Sequence, residues 1–182
     1  MKYWKLGTDV ENFQCLKEFP NFEFEDSKFD GRSKINDWHE LELVIRFPKD
    51  DLPLGDMAGW ELDIPIISNA AKKVIEKNCT DKVEFLPMNK EGEKWWILNS
   101  TELLDCIDYE KSEIEFFESS GRIMLIEKYA FIKEKVKGHN LFKLKDYPID
   151  SPIITDVLKD VIEKNGFIGF EFELIWDSEA DN

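Results

Sequence analysis

The pattern of hydrophobic and polar positions at residues 63–78 recurs almost unchanged at residues 150–165. The two segments read DIPIISNAAKKVIEKN and DSPIITDVLKDVIEKN, and ten of the sixteen positions are identical. In both, apolar residues are spaced so that they share one face of a helix of about ten residues. These residues are Ala70, Ala71, Val74 and Ile75 in the first copy, and Val157, Leu158, Val161 and Ile162 in the second.

Each copy carries the same signals for the start and the end of this helix. A proline keeps the backbone extended, so that the two isoleucines after it can enter a core. A hydroxyl side chain can then accept from the free amides of the first turn, and an asparagine ends the helix. These positions are Pro65, Ser68 and Asn78 in the first copy, and Pro152, Thr155 and Asn165 in the second.

A predicted strand follows each helix, at residues 82–88 and 170–176. The duplicated unit therefore extends over residues 63–88 and 150–176. Its repeated polar residues are a cap, a helix stop, and Lys and Glu on the solvated side of the helix. A duplicated active site would repeat polar groups that have no folding role, so we interpret the repeat as structural.

Further strands are predicted at residues 38–47, 94–99, 113–117, 122–132 and 140–144, and a short helical stretch at 100–112. Ser119 to Gly121 lie between two of these strands and predict a hairpin turn. Many strands with few helices between them favour an α+β fold with a mainly antiparallel sheet and a few short helices.

Residues 47–59 are rich in Pro, Gly and Asp and predict an irregular loop. We place a boundary there between an acidic, β-rich N-terminal lobe (residues 1–59) and an α+β core with a short acidic tail (residues 60–182). One compact domain is the alternative for a chain of 182 residues.

Composition and charge narrow the classes of partner. No apolar run has the length of a signal peptide or a membrane span, so we expect a cytoplasmic protein. The three cysteines lie far apart and predict neither a disulfide framework nor a zinc site. The net charge of −15 disfavours nucleic acid and anionic membranes as partners and favours a basic protein.

Candidate catalytic groups are few, and we predict no catalytic residue, cofactor or metal. His39 and His139 have no recognisable nucleophile or metal motif near them in the sequence. Asp26 and Asp30 belong to a cluster of carboxylates, but its spacing does not match a calcium-binding loop.

Five short motifs then occur in one order, at residues 65–68, 95–99, 107–112, 141–144 and 153–172. They are Pro-Ile-Ile-Ser, a Trp-rich strand ending in Leu-Asn, Ile-Asp-x-x-x-Ser, Leu-Phe-x-Leu, and a helix followed by Gly-x-x-Gly-x-x-Phe. Over roughly residues 60–176 the chain resembles immunity-protein family eleven of bacterial polymorphic toxin systems. The resemblance implies a cytosolic antidote that is not an enzyme and that neutralises a cognate toxin by stoichiometric binding.

The resemblance identifies no binding residue, so charge alone predicts the interface. We place it in the acidic N-terminal third, with Asp26, Asp30, Asp50, Asp51 and Asp56 as candidates. Two other functions stay open: a hydrolase with a carboxylate-bound metal, and a scaffold or binding module for a partner that is not a toxin.

Overall fold

The computed structural model describes residues 1–19, 29–46, 51–59 and 64–180. In this part of the chain, thirteen strands and three short helices form an α+β fold, which confirms the predicted fold class. In chain order the elements are β1 (Lys2–Thr8), β2 (Gln14–Phe19), β3 (Leu41–Ile45), β4 (Leu54–Gly59), β5 (Ile66–Ser68), α1 (Asn69–Asn78), β6 (Val83–Lys90), β7 (Glu93–Ser100), β8 (Leu103–Leu104), β9 (Glu113–Phe116), β10 (Ile123–Lys128), α2 (Lys133–Val136), β11 (Leu141–Leu144), β12 (Ile153–Thr155), α3 (Asp156–Lys164) and β13 (Phe170–Asp177).

The strands form three groups. Six of them close a small barrel in the order β2-β3-β6-β7-β5-β4, and five form a second sheet in the order β13-β1-β12-β11-β8. Strands β9 and β10 pair only with each other among the described residues, as a separate two-stranded ribbon. Most pairs are antiparallel, as predicted; β2 with β4, β3 with β6, and β8 with β11 are parallel.

The two repeat copies have the same three-dimensional arrangement. In the first copy β7 pairs with both β5 and β6, and in the second copy β1 pairs with both β12 and β13. The strand in the middle comes from different places in the chain: β7 follows β6 directly, whereas β1 is N-terminal. The start of β1 and the end of β13 lie side by side. There the backbone N–H of Ser178 donates to the carbonyl of Met1 at 3.0 Å, an ordinary backbone hydrogen-bond distance.

The two repeat helices pack against each other in one core. Ala71 and Ile75 of α1 and Leu158 and Ile162 of α3 are buried in the same hydrophobic cluster. The predicted apolar face is thus confirmed at these four positions. It is wrong for Ala70 and Val157, which are exposed, while Val74 and Val161 are half-buried at the edge of the contact. The isoleucines after each proline are also buried, at Ile66, Ile67, Ile153 and Ile154, and they form the short strands β5 and β12.

The predicted helix caps differ between the copies. Ser68 Oγ accepts from the backbone N–H of Ala71 at 3.1 Å, as predicted. Thr155 occupies the same N-terminal position, but its hydroxyl makes no cap hydrogen bond and donates to Asn140 Oδ1 at 2.8 Å. The prediction for Thr155 was therefore wrong, because a nearby acceptor on another segment takes the hydroxyl. At the other end, the Asn78 and Asn165 side chains each donate to the carbonyl four residues earlier, at 2.7 and 2.8 Å.

Two further predictions fail. Residues 54–59 form strand β4, not a loop, and their glycines serve close packing instead of a turn. A Cβ atom at Gly55 would lie 2.8 Å from the Cα of Gly169, and one at Gly59 would lie 2.3 Å from the carbonyl oxygen of Ile64. Residues 100–112 contain no helix; Leu103 and Leu104 form β8 instead, paired with β11.

Strand pairing crosses the predicted domain boundary at residue 59. Strand β1 lies between β12 and β13, and β4 pairs with β5. Whether the chain is divided into an N-terminal lobe and a core stays a prediction.

Candidate functional site

The five acidic residues predicted for the interface lie in the N-terminal third. Asp26 and Asp50 lie outside the described residues. Asp30 lies in the segment before β3, and Asp51 and Asp56 lie before and within β4. No hydrogen bond or ion pair joins Asp30, Asp51 and Asp56 to one another within the described chain.

Asp30 is engaged in a local ion pair. Its carboxylate accepts from Arg32 Nε at 3.0 Å and lies 2.7 Å from Arg32 Nη2. The hydrogen bond from Arg32 outweighs partial burial, so that the pKa of Asp30 lies below its ordinary value. Asp30 therefore stays negative at neutral pH, although its charge is locally compensated.

Asp56 connects the two repeat copies. One carboxylate oxygen accepts from Ser68 Oγ at 2.7 Å, and the other accepts from the backbone N–H of Ile168 at 3.2 Å. The backbone N–H of Asp56 also donates to the carbonyl of Ile168 at 2.7 Å. Because Ser68 in turn caps α1, this side chain has a direct role in the fold. Asp51, in contrast, is exposed.

A second polar cluster brings together Asp81, Glu102 and His139. One potential ligand atom from each lies within 4.8 Å of the others. A histidine with two carboxylates is a donor set that suits zinc or manganese. However, Asp81 already accepts from the backbone N–H groups of Asn140 and Leu141, at 2.8 and 3.0 Å.

The other polar groups of this cluster also have partners within the protein. The other Asp81 oxygen lies 2.9 Å from Nδ1 of His139, and Glu102 lies 3.5 Å from Lys82 Nζ. The Asp81 side chain is only 4% exposed. A metal ion would have to displace the His139 contact and compete with a lysine, so we interpret the cluster as a structural anchor for the start of β11. His39 is exposed, and both histidines thus agree with a surface or structural role.

A third polar group is centred on Lys5 and Asp150, which both line a cleft of about 330 Å³ beside β1. Lys5 Nζ lies 2.9 Å from Asp150 Oδ2, and the same oxygen accepts from the Tyr129 hydroxyl at 2.8 Å. The ammonium of Lys5 also lies 5.2 Å from the centre of the Tyr129 ring. These three side chains satisfy one another, which is typical of a structural network.

Buried thiols contribute no reactive group. Burial raises the pKa of Cys79 to about 11 and that of Cys106 to about 12. Because the thiolate is the nucleophilic form, a raised pKa disfavours nucleophilic chemistry by either thiol near neutral pH. No disulfide joins Cys15, Cys79 and Cys106, which all lie among the described residues.

One surface was missed at the sequence level. The ribbon β9–β10, together with the residue directly after β9, exposes four large apolar side chains: Phe116, Phe117, Met124 and Leu125. The available signal was that apolar residues come in consecutive pairs there, so that a two-stranded ribbon cannot bury them all on one face.

The chain is thus an acidic protein with an α+β fold, built around two copies of one helix-strand unit. The chain belongs to the immunity protein family (Imm11), whose family model matches residues 7–177. The match includes most of the N-terminal third, to which the short motifs did not extend. No curated protein sequence matches the chain. Among the described residues, no helix combines the length and apolar character that membrane crossing requires.

Proposed function

We propose that this protein is a cytoplasmic antidote that binds a cognate toxin and neutralises it by forming a stoichiometric complex. The observation that carries the proposal is membership of the immunity protein family, which extends over residues 7–177. An immunity protein has to recognise one toxin domain and block its action while both are in the same cell.

Charge supports a basic toxin as the partner. A net charge of −15 on 182 residues gives a strong negative field. Opposite fields speed the encounter of two proteins and disfavour wrong partners. The acidic N-terminal third, with Asp51 exposed, is suited to this long-range attraction, whereas Asp30 and Asp56 are held by contacts within the fold.

Protection in cells tests the proposal. The gene next to the one encoding this chain is expressed from an inducible promoter, alone and together with this protein. We expect growth arrest with the toxin alone and normal growth with both, and we expect the two proteins to copurify. A neighbouring product that is not toxic, or toxicity that this protein leaves unchanged, would favour the scaffold function instead.

A further inference from the structure

The ribbon β9–β10 concentrates the exposed apolar surface of the described chain. The described chain has twelve exposed large apolar side chains, and four of them fall between residues 116 and 125. The other eight stand singly along the sequence. The four side chains belong to one two-stranded ribbon, and because each is about half exposed they present together on the order of 300 Å² of apolar surface. This total is comparable with the largest apolar patch on many monomers. Patches of this size are often interaction sites.

The exposure of two consecutive residues on β10 has a local structural cause. The register of the ribbon shifts between Ile123 and Leu125, with Phe116 opposite Ile123 and Glu115 opposite Leu125. Met124 is therefore the extra residue of a β-bulge, which interrupts the alternation of the strand. Ile123 faces the core, while Met124 and Leu125 both reach the surface.

The ribbon is nevertheless fixed to the body of the protein. Ile123 and Ile126 are buried, and Ile114 packs against the same hydrophobic cluster. The Tyr147 hydroxyl donates to the Met124 carbonyl at 3.0 Å. A surface held in this way loses little conformational entropy when a partner binds to it.

Acidic groups outnumber basic groups on the same ribbon. Glu113 lies 3.9 Å from Lys128, but Glu115, Glu118 and Glu127 form no ion pair within the described residues. Arg122 and Lys128 are the exposed cations among them, so that four carboxylates face two cations on the described ribbon. An apolar centre with an acidic rim matches a partner with an apolar centre and a basic rim.

We propose that the ribbon β9–β10 is the surface on which the basic toxin docks, with Phe117 and Leu125 as apolar anchors and Glu115 and Glu118 in the rim. The inference rests on the proposed function and names the contact surface. A second copy of this chain is disfavoured as the occupant, because two acidic rims and two net charges of −15 repel.

The test uses the toxin domain encoded beside this gene, inactivated at its catalytic residue, as the binding probe. Leu125→Ala and Phe117→Ala are compared with Leu174→Ala, which removes a leucine of the same exposure from β13: 46% at Leu125 and 47% at Leu174. We expect Kd to rise about tenfold or more for each ribbon variant and less than about threefold for the control. Equal small effects in all three variants would overturn the inference.

A second experiment tests the acidic rim by comparing Glu118→Lys with Glu134→Lys. Both substitutions change the net charge by the same amount, but only Glu118 belongs to the rim. We expect Glu118→Lys to slow association more than Glu134→Lys, with the difference shrinking at high salt. Equal association rate constants for the two variants would show that only the net charge of the protein matters, and would contradict a contact between the rim and the toxin.

Hydrogen exchange on the wild-type complex needs no substitution and is independent of any loss of folding. Binding is expected to slow amide exchange at residues 113–128, and protection confined to other segments would overturn the inference while leaving the proposed function intact. A wild-type chain that does not bind the probe would overturn both. If the protein forms a dimer at micromolar concentration and Leu125→Ala abolishes that dimer, the ribbon is a self-association surface. That result would overturn the inference that the toxin docks there.

Discussion

Lys72 and Lys159 occupy the same position in the two repeat units, and each ammonium group lies against two aromatic rings. Lys72 Nζ is 5.2 Å from the ring centre of Phe85 and 5.1 Å from that of Trp96. Lys159 Nζ is 4.9 Å from Trp4 and 5.2 Å from Phe172. Each lysine also pairs with a glutamate one helical turn later, at 2.5 and 2.6 Å. The repeat thus preserves contacts that hold a helix on a sheet, which supports its structural interpretation.

Replacing Lys159 should therefore destabilise the fold. We expect Lys159→Ala to lower the free energy of unfolding by about 1–2 kcal/mol, since it removes two cation–π contacts of a half-buried ammonium. Lys164→Ala is the control, because Lys164 on the same helix also pairs with an acidic residue four positions away, Asp160. Its side chain is 75% exposed, and it has no ring contact within the described residues. Urea denaturation measures both; equal losses would contradict a contribution from the rings.

Asp56 and Asp51 should contribute differently to stability, although both are among the acidic residues predicted for the interface. We expect Asp56→Ala to lower the free energy of unfolding by about 1–3 kcal/mol, because Ser68 and the Ile168 amide lose their acceptor. Asp51→Ala should leave stability unchanged within about 0.5 kcal/mol, since Asp51 is exposed. Denaturation of both variants checks this, and an unaffected Asp56→Ala would show that its contacts contribute little to folding.

Acid stability should depend on Glu84. Partial burial alone would raise its pKa, but hydrogen bonds from Ser33, the Lys34 amide and Asn99 outweigh burial and hold the pKa below its ordinary value. A lowered carboxyl pKa stabilises the fold above the unfolded pKa, and this contribution is lost as pH falls through the folded pKa.

Glu84→Gln should consequently flatten the pH dependence of stability below about pH 4.5, the ordinary Glu pKa. The free energy of unfolding is measured between pH 7 and pH 3 for the wild type, Glu84→Gln and the exposed control Glu115→Gln. We expect only Glu84→Gln to change the slope in the acid range, and an unchanged slope would contradict the role of these hydrogen bonds.

The cluster around Asp81 should behave as a structural anchor and not as a metal centre. We expect a chelator to leave Tm unchanged. Asp81→Ala should lower the free energy of unfolding by about 1–3 kcal/mol, because two partly buried backbone amides lose their acceptor. Metal analysis of the purified protein and thermal unfolding with and without chelator measure this. A bound metal at one equivalent, together with a lower Tm after chelation, would favour the hydrolase function.

The repeat and the fold class could be predicted from the sequence because they depend on local signals. Proline, apolar spacing and asparagine fix the two helices, and the pattern of buried positions in α1 recurs in α3. Strands β6 and β13 follow as predicted. Contacts between distant segments could not be predicted in the same way. Thr155 has the chemistry of a cap, but Asn140 takes its hydroxyl, and nothing local to the helix specifies that neighbour.

The glycines of β4 are a second case in which a contact between distant segments could not be predicted from the sequence. Gly55 and Gly59 have the composition of a loop, yet a second backbone that approaches each of them is the reason that glycine fits. The apolar ribbon was likewise predicted as strands, but its exposure follows from a bulge and from the absence of a third strand beside it in the described chain. Family membership could be inferred from the order of the motifs, whereas the contact surface needs the fold.

Titration of the active toxin with this protein tests the central claim most directly. In an assay of toxin activity, increasing amounts of the purified chain are added at a toxin concentration well above Kd. Stoichiometric binding predicts that residual activity falls in a straight line and reaches zero at one equivalent. Complete inactivation by a small fraction of an equivalent would reveal a catalytic mode of action and contradict the account, as would full toxin activity in the presence of excess protein.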